Sequence, residues 1–86
     1  MSRASLTRQV LDAILAERDR QDEKWGRQRP PHDQWMTMLV EEVGESAAEI
    51  EKYRYTGSSK LLEEVTQVAA VAAAWMEQLL EEKAKE

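Results

Sequence analysis

Residues 34–54 read QWMTMLVEEVGESAAEIEKYR. Trp35, Met38, Leu39, Val43, Ala47 and Ile50 recur every three or four positions, which marks one apolar stripe of an α-helix. Asp33 just before the stretch is a suitable N-cap. Glu41, Glu42 and Glu45 lie in its middle. At about 100° per residue, Glu42 falls beside Trp35, Leu39 and Ser46, on the flank of the stripe. Glu45 lies one step further round, and Glu41 points toward solvent.

Downstream, Thr56-Gly57-Ser58-Ser59 reads as a loop, with Gly57 as a C-cap and Ser58 or Ser59 as the next N-cap. Another helix is predicted from about Lys60 to about Glu82. It repeats the acidic pattern: Glu63-Glu64-Val65-Thr66-Gln67 answers Glu41-Glu42-Val43-Gly44-Glu45. Glu64 falls among Leu61, Val68, Val71 and Trp75, Gln67 sits at the edge, and Glu63 points away. Upstream, Val10, Leu11, Ile14 and Leu15 predict a helix that starts after Ser5 and ends near Lys24. Its last part, Glu17 to Lys24, is almost wholly polar and reads as a solvated turn or a rim. Gly26, Pro30 and Pro31 separate it from the helix that follows.

Sustained period-2 alternation is missing, so the fold class is all-α. The 86 residues make a single domain, 1–86, with 1–4 and 83–86 expected to fray. A domain this small buries only about 60% of its unfolded surface, so a homo-oligomer that shares its core is expected. Gly44 in a helix interior is expected to admit a close neighbour, and Ala69, Ala70, Ala72, Ala73 and Ala74 allow close packing.

Cys is absent, which excludes disulfides and thiolate metal sites. The net charge of −5 disfavours a nucleic acid polymer as partner. Neither a targeting segment nor an apolar run of the roughly 20 residues a membrane span needs is visible, so no membrane association is expected and the cytoplasm is the expected compartment.

A carboxylate beside an apolar stripe is costly unless something cationic meets it. Glu42, Glu45, Glu64 and Gln67 are the inward oxygen donors from two helices, a set suited to Mg2+ or Mn2+. A purely structural bundle or antitoxin-like module would place apolar residues at Glu42 and Glu64.

These residues resemble a known family. Glu41-Glu42-Val43-Gly44-Glu45, a spacer, and Glu64-Val65-Thr66-Gln67 resemble the MazG-like nucleoside triphosphate pyrophosphohydrolases of the all-α NTP pyrophosphatase superfamily. Gln21-Asp22-Glu23-Lys24-Trp25-Gly26 and the stretch from Val68 to Trp75 resemble a compact subgroup of it. The resemblance implies an antiparallel helical bundle completed in a homodimer or homotetramer. It implies Mg2+-dependent cleavage of a (d)NTP between the α and β phosphates, giving (d)NMP and pyrophosphate. Glu42, Glu45 and Glu64 then match metal ligands, with Gln67 where the family usually has Asp. For the attack of water in that reaction Glu41 or Glu45 is the candidate general base, which makes Glu41, Glu42, Glu45 and Glu64 the expected catalytic set. Lys24 and Lys60, with Arg20, Lys52 and Arg54, are candidates for the outer phosphates, and Trp25 and Trp35 for the base, with His32 or Asp33 as hydrogen-bond partners. For Trp35 and Trp75 a core role competes with that reading. Gln67 lowers the ligand charge by one, and so sets out an alternative: a MazG-like protein that binds a nucleotide or a partner with little or no turnover.

Overall fold

A computed structural model describes residues 1–57 and 60–86. The described residues form helices α1 (Arg3–Trp25), α2 (His32–Thr56) and α3 (Leu61–Ala84) and no strand. Successive helices alternate in direction. Trp35 of α2 meets Gln78 near the end of α3, and Glu49 meets Lys60 at its start.

The helix ends differ from expectation in instructive ways. Ser2, not Ser5, caps α1: its hydroxyl accepts from the Ser5 N–H at 3.1 Å. Arg3 and Ala4 are good helix formers, so the helix extends back to the first serine that can cap it. Pro31, not Asp33, occupies the N-cap position of α2. Its φ of −65° is preset by the ring, and its carbonyl accepts from Gln34 and Trp35. Asp33 lies in the first turn, where a negative charge complements the helix dipole. Gly57 closes α2 as expected, at φ 71°, and its N–H donates to the Tyr53 carbonyl. The N-cap expected at Ser58 or Ser59 lies outside the described residues. Lys60 stands at the N-cap position of α3, and its backbone N–H donates to Glu49 Oε1.

Helix α3 is the centre of the fold. It packs against both α1 and α2, which do not pack against each other. Its small residues permit this: Ala70 and Ala74 are 0% and 4% exposed. Trp35, Val71 and Ala74 form the core, with Met38, Leu39 and Trp75 against it. Gln78 is buried but satisfied. It accepts from the Trp35 indole N–H at 2.8 Å and donates to the Pro30 carbonyl and Glu82. The close neighbour expected at Gly44 does not occur among the described residues, none of which lies within 4 Å of a Cβ built there.

The core is small for the mass. The accessible surface is 6600 Å2 for 9.9 kDa, against about 5200 Å2 for a compact monomer of that size. Val10, Leu11 and Leu15 on α1, Val40 on α2 and Leu62 on α3 are each more than half exposed. No helix among the described residues is long and apolar enough to cross a membrane.

Candidate metal centre and cleft

Glu42 and Glu45 are three residues apart, on one face of α2, and antiparallel packing brings Glu64 of α3 to their level. One oxygen from each of these carboxylates lies within 4.8 Å of the others. Glu42 and Glu64 are half-buried and Glu45 is exposed. The Oε2 atoms of Glu42 and Glu64 are sealed from solvent and have no hydrogen-bond partner.

Like charges so placed resist ionisation. Burial pushes the Glu42 carboxyl up from 4.5 to about 7, with the Glu45 and Glu64 charges adding to it. Glu64 is raised as well, first by burial and then by Glu45. A divalent cation would reverse this cost. It would neutralise the repulsion and give the two orphaned oxygens a partner. Oxygen-only donors from facing helices suit a hard ion such as Mg2+ or Mn2+, so the residues fit the ion that the sequence implied.

Since α1 and α2 do not pack together, a cleft of about 250 Å3 remains between them. Gln67, Val71 and Ala74 of α3 form its floor. Glu41 and Glu42 line it from α2, while Arg18, Gln21, Asp22 and Trp25 line it from α1. Gln67 is half-buried, one turn beyond Glu64, on the cleft floor. Glu41 is exposed on the cleft wall, and Glu63 is exposed.

The other expected site residues are dispersed. Trp25 is 57% exposed in the cleft, with the Lys24 ammonium 4.6 Å from its ring centroid. Trp35 is 2% exposed and its indole N–H is held by Gln78, so it serves the core and is not an open stacking surface. Trp75 packs against the core, and its N–H donates to His32 Nδ1 at 2.9 Å. Lys60 is exposed at the start of α3, one turn before Glu64. Arg20 pairs with Glu17, and Arg54 with Glu51. Lys52 and Asp33 are exposed on α2.

The polar end of α1 is where the sequence reading fell short. Arg18 is 8% exposed and pairs with Glu77, Asp22 and Gln21. Glu17 is half-buried beside the cleft, and its charge also raises Glu42. Arg18, Gln21, Asp22 and Trp25 follow the spacing i, i+3, i+4, i+7 of one helix face. That spacing was a usable signal, but apolar patterning does not detect a polar face. No protein-family model, curated protein or solved structure matches this chain.

Proposed function

We propose that this chain is a divalent-metal-dependent nucleoside triphosphate pyrophosphohydrolase, cleaving a (d)NTP to (d)NMP and pyrophosphate. The observation that carries the reading is the pair of buried, unpartnered carboxylate oxygens on Glu42 and Glu64, in a cluster where one oxygen each of Glu42, Glu45 and Glu64 lies within 4.8 Å of the others. The MazG-like resemblance of the residues around them supplies the reaction.

Glu42, Glu45 and Glu64 would hold the ion, with Gln67 offering a neutral carbonyl oxygen from the next turn of α3. When bound, Mg2+ supplies charge neutralisation for the phosphate oxygens. Glu41, exposed on the cleft wall, would take the proton of an attacking water in this reading, with Glu45 as the other candidate base. In this reading the substrate would lie in the cleft that Glu42 lines.

The test is to incubate the purified protein with triphosphates and Mg2+ or Mn2+ and to follow monophosphate and pyrophosphate. Turnover that is lost in Glu42→Gln and Glu64→Gln supports the proposal. Turnover that survives both defeats it. Gln67 favours a second reading, a nucleotide- or partner-binding protein with little turnover. A Gln67→Asp variant that gains activity over an inert parent would support that one.

A homodimer or homotetramer is part of the proposal. The excess surface and the exposed apolar side chains of all three helices support it.

A further inference from the structure

His32, the first residue of α2, reaches α3 through both of its ring nitrogens. Its Nδ1 accepts from the Trp75 indole N–H at 2.9 Å, and its Nε2 lies 3.1 Å from Glu82 Oε2. The centroids of the His32 and Trp75 rings are 6.1 Å apart, with the rings tilted by 30°.

These contacts fix where the proton sits. An indole N–H only donates, so Nδ1 must present its lone pair. The neutral ring carries one N–H, which is then on Nε2 and donates to the Glu82 carboxylate.

The two partners pull in opposite directions. Trp75 favours the neutral ring, because a proton on Nδ1 would set two donors against each other. Glu82 favours the cation, because its charge lies against Nε2. Histidine is the side chain that changes charge between pH 5 and 8. The His32 side chain is 47% exposed, so a proton from solvent reaches it without unfolding.

The charged residues of the elements that meet here are few. Helix α3 and its end bring Glu81, Glu82, Lys83 and Lys85, α2 brings Asp33, and the connecting segment brings Arg27 and Arg29. Arg27 and Arg29 pair with Glu81, and among the described residues Glu82 alone pairs with the ring. Helix α1 does not pack against α2.

We infer that His32 is a pH switch between α2 and α3: neutral, it holds the Trp75 indole, and protonated on Nδ1, it releases that indole and keeps Glu82 alone. Trp75 packs against the core of Trp35, Val71 and Ala74, so its release loosens the edge of that core. The change stays local. Gln78 still accepts from the Trp35 indole N–H and donates to the Pro30 carbonyl. The switch is independent of the metal centre and of any reaction there.

The test is an NMR titration of the full chain in chelator from pH 8 to pH 5. It follows the Trp75 indole N–H, assigned with Trp75→Phe, and the His32 ring protons. The indole signal should move toward the position of a solvent-exposed indole, with the same midpoint as the His32 ring. Glu82→Gln should lower that midpoint by about half a pH unit, the worth of an exposed ion pair. His32→Asn keeps an acceptor for the indole but has no proton to gain, and should abolish the transition. The Glu42 carboxyl also takes up a proton at about pH 7, so Glu42→Gln is the control, and the Trp75 transition should survive in it. The inference is overturned by an indole signal that stays fixed from pH 8 to pH 5, by a transition that persists in His32→Asn, or by one that vanishes in Glu42→Gln. Should His32→Asn lose its fold, seen as collapsed amide dispersion, the Glu82→Gln midpoint decides, and an unchanged midpoint overturns the inference.

Discussion

Arg18 and Glu77, on α1 and α3, are joined by two parallel hydrogen bonds, Nε to Oε2 at 3.0 Å and Nη2 to Oε1 at 2.8 Å. The Arg18 side chain is 9% exposed and that of Glu77 is 45% exposed. Removing Glu77 leaves a buried guanidinium without its main partner. Glu77→Ala should therefore cost about 2–3 kcal/mol in urea unfolding. The Arg18 hydrogen bond, more than its charge, holds the Glu77 carboxyl below its usual range. Its contribution is present above about pH 4.5 and is lost as pH falls further. Acid unfolding of Glu77→Gln should lack that component.

Glu42 has the opposite sign. Its carboxyl is raised to about 7 in the fold, so the native state binds the proton more tightly than the unfolded chain. The metal-free protein should lose stability as pH rises from about 4.5 through 7. Glu42→Gln should flatten that slope and raise the melting temperature at pH 8, as measured by calorimetry in chelator. A parent whose stability is flat between pH 5 and 8 would contradict the buried placement of Glu42.

Divalent metal should reverse that dependence. At a concentration one hundred times the dissociation constant, Mn2+ should stabilise the fold by about 2.7 kcal/mol. The gain should grow with pH, since the metal displaces the Glu42 proton. Glu42→Gln and Glu64→Gln should each abolish it, and Glu63→Gln, at an exposed position, should preserve it. Thermal shift with and without chelator reads all of these.

These expectations show what the residues disclose before folding. Apolar spacing was enough to place three helices and to turn Glu42 and Glu64 inward, because a period near 3.6 is a property of the chain alone. Arg18 escaped because its burial depends on Glu77, far away in sequence. The same holds for Trp35, whose indole N–H needed Gln78 before it could be assigned to the core. Helix starts at Ser2 and Pro31 were missed because each lies near a second good capping residue, and local chemistry does not choose between them.

Trp35 is the main core side chain, 2% exposed and hydrogen-bonded to Gln78. Trp35→Phe keeps most of the packing but leaves Gln78 Oε1 unpaired, and should cost about 1–3 kcal/mol. Trp35→Ala should cost about 3–5 kcal/mol, enough to unfold a small domain at 37 °C. Denaturant midpoints test both.

The exposed stripe of α1 should be covered in solution. Light scattering should give a mass at least twice the 9.9 kDa of the chain. Leu11→Glu, at a side chain 58% exposed within the chain, should lower that mass. A monomeric parent at micromolar concentration would overturn the oligomer proposal.

The segment between α1 and α2 is fastened to the tail of α3. Arg27 and Arg29 pair with Glu81, and His32 pairs with Glu82. The last two turns of α3 therefore work as a hasp on the far side of the protein from Lys60. One turn earlier on α3, Glu77 holds Arg18, so α1 itself is fastened beside that hasp. Glu77, Glu81 and Glu82 thus moor α1, the connecting segment and the start of α2 in turn, so one end of α3 anchors everything that precedes it.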